Sequence, residues 1–247
     1  MTRVLIGAPV RQKPHIFREY LDSLDRLIIP DGVEVDREFI LHGCPELEPM
    51  LRPEDRRSHR AAADTYEVDG STHVWRQSNF SAVAAMKNEL LEHTRAGGYD
   101  YFMLVDSDLV LQPETLARLL SRDKHIIAEI FWTAWQEDGS SYGPNCWDYD
   151  ACTYGAPQGV DRYKEPGVHL TGGTGACILI DKQVLGNPLI CYSPLYNVSW
   201  TVWEDRAFCI RAAAHGHGIH IDTTCPATHL YREADYQAYK EAQHNAP

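Results

Sequence analysis

The sequence predicts an α/β protein, a single domain built on a mixed, mostly parallel sheet flanked by helices. Two observations carry this. Short apolar runs alternate with amphipathic stretches through the first half of the chain, in strand–helix–strand order, the pattern of βαβ units. Later apolar runs follow one another across an irregular aromatic stretch, so the sheet is expected to end mixed. The 247 residues, 44% of them hydrophobic, suit one domain with a substantial core.

The elements follow in order. "RVLIGAPV" (3–10) reads as a buried strand closed by Pro9. "PHIFREYLDSLDRLII" then places Ile16, Tyr20, Leu24 and Leu27 at helical spacing, and "EVDREFILHG" (34–43) is a second strand. Residues 44–72 are polar, with little periodicity, and read as a long excursion, with a short third strand around 72–76. "NFSAVAAMKNELLEHTRAGG" (79–98) is a helix stopped by Gly97 and Gly98. "YFMLVDSDLVL" (101–111) is a strand, and "QPETLARLLSR" a helix with Pro113 in its first turn. "HIIAEIFW" (125–132) and "GVHLTGGTGACILIDKQVL" (167–185) read as strands, the latter centred on glycines. Between them Trp132, Trp135 and Trp147 lie in an aperiodic aromatic stretch. "WEDRAFCIRAAAHG" (203–216) is a helix opened by acids, "GIHIDTTC" a last strand, and the chain from 231 to 247 a polar tail.

Composition narrows the function. A net charge of −12 speaks against general nucleic-acid binding. No apolar run reaches the roughly 18–20 residues of a membrane span. Seven cysteines without a CxxC pair, and no signal-peptide pattern before the first strand, suggest reduced thiols and a cytoplasmic protein. Cys177 and Cys209 sit in apolar patterns as small buried residues.

Asp106 and Asp108 are the sharpest chemical signal. On a strand, residues two apart share a face, so two carboxylates would project together from its carboxyl end. Ligands of such sheets bind there. Like charges so placed repel unless a cation joins them, and hard divalent cations take oxygen ligands shared with phosphates. The plainer reading is that Asp108 caps the next helix. Glu204 and Asp205 open a later helix, where its dipole favours acids. A carboxylate there could also take a proton from an acceptor hydroxyl.

The apolar strand before D-S-D, the preceding helix "AAMKNELLEHT", the downstream "LTGGTGACILI" and the "WEDRAFCIRAAAHG" segment together resemble the GT-A glycosyltransferases, most closely the family 2-type enzymes, over roughly residues 3–230. The resemblance implies a GT-A sheet with a nucleotide-binding half at about 1–111 and an acceptor half at about 112–230. It also implies transfer of a sugar from a UDP- or GDP-sugar with Mn²⁺ or Mg²⁺. Asp106, nearer the ribose, Asp108 and His229 would then hold the metal. Asp205 would be the base of an inverting reaction and Glu204 would orient the acceptor, though these roles could be exchanged, and stereochemistry stays open. Pro9 and Arg11 would lie at the nucleotide, and Lys87 and Asn88 would face it or its diphosphate, unless they are ordinary solvated helix residues. Gly172, Gly173 and Gly175 would let sugar or acceptor approach the backbone. Trp132 and Trp203 would offer flat faces to sugar rings, or else anchor loops. The acceptor could be a glycan, a peptide or a small molecule. His215, His217 and His220 read as surface residues.

Three other classes compete. Haloacid-dehalogenase-type phosphohydrolases also carry D-x-D after an apolar strand, with the first Asp as nucleophile. Theirs usually lies on the first strand, whereas this pair lies past residue 100 and no later Lys with an acidic pair stands out. Sugar nucleotidyltransferases share the sheet, but "GAPVRQKP" lacks their glycine-rich loop. A non-catalytic saccharide-binding protein on a transferase fold would be expected to have lost the acids, which are present.

Overall fold

In a computed structural model the described residues are 1–62, 77–135, 142–148, 160–195 and 203–245. The first half supplies β1 (Thr2–Val10), α1 (Pro14–Asp25), β2 (Val33–His42), β3 (Arg56–Arg60), α2 (Gln77–Ala96), β4 (Tyr101–Leu104), β5 (Leu109–Val110) and α3 (Thr115–Ser121). The second supplies β6 (Ile126–Glu129), β7 (Trp132–Ala134), β8 (Tyr142–Pro144), β9 (Cys146–Trp147), β10 (Val168–Thr171), β11 (Gly173–Thr174), β12 (Ile178–Asp181), α4 (Lys182–Leu185), α5 (Glu204–Ala214), β13 (Ile219–Asp222), β14 (Thr228–His229) and α6 (Glu233–His244).

The main sheet runs β10-β13-β6-β12-β4-β1-β2-β3. β1 pairs in parallel with β2 and β4, and β13 with β6, while β12 and β10 run antiparallel to their neighbours. The sheet is therefore parallel at its start and mixed later, as its sequence order predicts. Side-chain alternation splits the core in two. Val4, Ile6, Ala8, Met103, Ile127 and Leu179 face one cluster with Phe17, Tyr20 and Leu24 of α1 and Leu116 of α3. Leu5, Phe102, Leu104, Ala128 and Ile180 face the other, with Leu90 and Leu91 of α2, Val184 of α4 and Phe208 of α5. Gly7 faces α2, and a Cβ there would come within 2.9 Å of the Phe102 ring.

Several expectations change. The third strand is β3, pairing in parallel with β2 inside the polar excursion, while the strand expected at 72–76 lies outside the described residues. Pro113 precedes α3 rather than entering it. The 167–185 stretch divides into β10, β11, β12 and α4. The polar tail is helical: α6 packs Tyr236 and Tyr239 against Ile16, Val110 and Leu230. Lys13 and His15 meet Glu233 at 3.0 and 3.1 Å, and Lys240 meets Glu19 at 2.8 Å. Among the described residues, Cys44, Cys146, Cys177, Cys191, Cys209 and Cys225 are free thiols, and no helix is long and apolar enough to cross a membrane.

Candidate active site

The acids do not sit on a strand face. β4 stops at Leu104, and Asp106 and Asp108 occupy the turn beyond it, where the Leu109 N–H donates to the Asp106 carbonyl at 3.1 Å. The last tie to the sheet is the Val105 N–H, bonded to the Gly7 carbonyl. From there the chain turns into β5, which pairs antiparallel with β14 and sets His229 opposite Leu109. The Leu230 N–H donates to the Asp108 carbonyl at 2.8 Å. This ribbon brings His229 to Asp108: Nε2 lies 3.5 Å from Oδ1, and both side chains are 8% exposed. The other ring nitrogen, Nδ1, is 2.7 Å from Thr133 Oγ1, and the ring packs on Phe131 and Tyr231.

Asp106, Asp108 and His229 are of the residue types whose oxygen and nitrogen donors suit a divalent cation such as Mn²⁺ or Mg²⁺. By donor chemistry the residues fit such an ion. Among the described residues no group of three or more Asp, Glu, His or Cys side chains is placed to hold a metal ion, so an ion here would need oxygens from elsewhere. Burial pushes the Asp106 carboxyl above the ordinary carboxylate range. Lys87 and His229 oppose that shift, and Asp108 and Glu204 add to it.

Lys87 lies at the centre of the second group. It is buried within α2 and donates to Glu204 Oε1 at 2.9 Å and to Asp205 Oδ1 at 2.8 Å, with its Nζ 5.4 Å from the centre of the Tyr192 ring. Side-chain exposure is 2% at Lys87, 7% at Glu204 and 24% at Asp205. Burial would strip the ammonium of its proton, but Asp205, Glu204 and then Asp106 hold its pKa well above the usual value. Burial raises Asp205 to about 7 against the pull of Lys87, with Glu204 and Asp106 adding to the rise. The solvated-helix reading of Lys87 is therefore wrong. Its ammonium is bound by the two acids.

Asn88 is committed elsewhere. Its Oδ1 accepts from the Tyr192 N–H at 2.7 Å and its Nδ2 donates to Ser193 Oγ at 3.0 Å, which ties the loop after α4 to α2. Pro9 lies inside β1 rather than after it, beyond the last residue paired with β4, where a missing N–H costs nothing on that side. Arg11 follows β1 on the same edge of the sheet as Asp106. Burial first, and then the Arg11 charge, lower the pKa of His42. The space above Gly173 belongs to the Trp147 ring, 2.3 Å from where a Cβ would stand, and the Gly172 N–H donates to the Trp147 carbonyl. These glycines serve internal packing. Trp132 stacks on Tyr142 at 5.5 Å. Trp203, 58% exposed, caps α5 beside Glu204 and stacks on Phe80 at 5.8 Å. His215 and His217 lie at the end of α5 and just beyond it, and His220 lies within β13, all away from both acidic groups. Sequence reasoning did not find the contact of Thr133 with His229, and no local pattern marks it.

Residues 55–139 match the glycosyltransferase family 25 N-terminal domain, a span short of half the chain that runs from β3 through the Asp106–Asp108 turn. S. aureus TarS 1-349 in complex with UDP superimposes on 92% of this chain and 59% of its own, with a TM-score of 0.54 and 13% identity. The mannosyltransferase PcManGT from Pyrobaculum calidifontis, in complex with GDP-Man and Mn²⁺, covers 98% of this chain and 61% of its own, with a TM-score of 0.50 and 12% identity. The chain thus spans about three-fifths of the length of these structures. No curated protein matches the sequence. At such identities the likeness is one of architecture: this protein has the fold of the GT-A glycosyltransferases.

Proposed function

We propose that the protein is a metal-dependent glycosyltransferase that moves a sugar from a UDP- or GDP-sugar to an acceptor hydroxyl with inversion. The observation that carries this reading is a single buried ammonium, bound by Glu204 and Asp205 at the start of α5 and within reach of the charge of Asp106 on the turn after β4. These residues lie in a fold whose relatives were captured with UDP and with GDP-Man and Mn²⁺.

Asp106, Asp108 and His229 would hold Mn²⁺ or Mg²⁺. Such a cation, when bound, neutralises the charge that gathers on a departing nucleoside diphosphate. Arg11, with Pro9 before it, lies on the nucleotide side, in the half formed by residues 1–111. Asp205 is the base: it is the most exposed of the three linked side chains, and a carboxyl titrating near neutrality is matched to proton transfer. Glu204 is too enclosed to meet an acceptor and holds Lys87 instead. Trp203, exposed next to Asp205, offers its face to an acceptor sugar, and Trp132 with Tyr142 forms a second aromatic surface in the acceptor half, residues 112–230.

Calorimetric titration of UDP and GDP, with and without Mn²⁺, tests the reading. Metal-dependent binding to the wild-type protein, lost in Asp108→Ala, is expected. Absence of nucleotide binding under every metal condition would sink it.

A further inference from the structure

Asp205 sits between two neighbours that treat its oxygens differently. Oδ1 accepts from Lys87 at 2.8 Å. Oδ2 lies over Gly175, where an added Cβ would stand 3.0 Å from it. Gly175 does not owe its identity to backbone freedom, because its φ lies outside the left-handed region. Its N–H donates to the Asn145 carbonyl at 2.9 Å, a bond that alanine would keep. What glycine supplies here is room.

We propose that Lys87 and Gly175 form a cradle that positions Asp205, the lysine tethering Oδ1 while the glycine leaves the berth in which Oδ2 faces the acceptor. This rests on the assignment of Asp205 as the base. A carboxylate turns readily about its terminal torsion, and one hydrogen bond leaves the second oxygen free to swing. Backbone beneath Oδ2 on one side and the ammonium at Oδ1 on the other limit that rotation. Among the described residues, the titratable groups facing Asp205 are Glu204 on its own helix, Lys87 from α2, Asp106 from the turn after β4 and Tyr192 from the loop after α4. Lys87 is the one cation among these four, so displacing Asp205 from it leaves the carboxylate among like charges.

The test uses the 247-residue chain as Gly175→Ala, Lys87→Met and Lys87→Arg, with Asp205→Asn to assign the Asp205 carboxyl resonance in protein carrying ¹³C-labelled aspartate. Three quantities are read: the titration midpoint of that resonance, the affinity for UDP and GDP with Mn²⁺, and kcat and KM for hydrolysis of a panel of UDP- and GDP-sugars. Gly175→Ala is expected to melt within about 4 °C of wild type. Its Asp205 midpoint should rise by about one pH unit. Its kcat should fall about 10- to 100-fold, with nucleotide affinity and KM unchanged. Lys87→Met should move both quantities the same way, with Lys87→Arg recovering part of the loss. A folded Gly175→Ala protein with an unmoved midpoint and wild-type kcat overturns the cradle. If wild type binds neither nucleotide, the transferase reading fails by itself, and the midpoints of the two variants still decide the cradle.

Discussion

Asp205 carries opposite demands at the scale of one side chain. With a pKa raised to about 7, its carboxyl sheds its proton, and so becomes a carboxylate able to take one from an acceptor, only as pH climbs through neutrality. The expected kcat profile therefore rises from pH 6 to 8 and then levels, and Asp205→Asn lowers kcat by about 10²- to 10⁴-fold. The same shift works against folding. The native state holds the proton more tightly than the unfolded chain, so the group's contribution to stability is full below about pH 4 and is lost as pH rises through about 7. Asp205→Asn should lose turnover and should weaken the fall of the urea midpoint between pH 5 and 8, and equilibrium unfolding at those two pH values checks the sign. The acids themselves were legible, because carboxylates beyond an apolar strand and at a helix start stand out from their surroundings. The state of Lys87 was not. On α2 it reads like any solvated lysine, and the acids that hold it come from a helix far along the chain.

Among the elements, those that sequence misjudged are polar ones that owe their place to partners. β3, "RRSHR", has no apolar alternation because it is an edge strand, a place where charged side chains are common. α6 reads as a tail because it has no fully buried residue, and its signal was only Tyr236 and Tyr239 on one face. The strand ends were also blurred, since the apolar run 101–111 continues through the turn that sets the aspartates apart. Behind the β5–β14 ribbon lies Leu230, fully enclosed with Ile16 and Val110. Leu230→Ala should cost about 2–5 kcal/mol and weaken Mn²⁺-dependent nucleotide binding, because its backbone fixes the approach of His229 to Asp108. Glu233→Gln, which removes the half-exposed pairs to Lys13 and His15, should cost no more than about 1 kcal/mol. Chemical denaturation of the two variants separates the buried anchor from the surface clasp.

Across the whole molecule, fold class and strand sense were readable because β1, β4, β6 and β12, buried on both faces, read as continuous apolar runs, and the early ones are separated by helical stretches. The insertion of β12 between β4 and β6 was not, since nothing local states which strands will be neighbours. A buried ion network closes the far side of this join. Arg118 meets Glu129 at 2.7 Å and Asp222 at 3.5 Å, and Arg122 meets Asp222 at 2.7 Å. Burial pushes the Asp222 carboxyl up, but hydrogen bonds from Thr224 and Arg122 and the charge of Arg118 outweigh it and leave the pKa below its ordinary value. Its stabilisation is present above the unfolded value and is lost as pH falls through the lower native one. Asp222→Asn should destabilise by about 3–5 kcal/mol at pH 7, with the difference from wild type shrinking in acid, as urea midpoints measured between pH 7 and 3 will show. The β5–β14 ribbon has a further consequence in time. A ribosome delivers Asp106 and Asp108 well before His229, and β4 well before its partner β12, so a chain arrested between them bears the two aspartates without His229 and β4 with β1 but not β12 beside it. Synthesis itself thereby withholds the Asp108–His229 contact from unfinished chains.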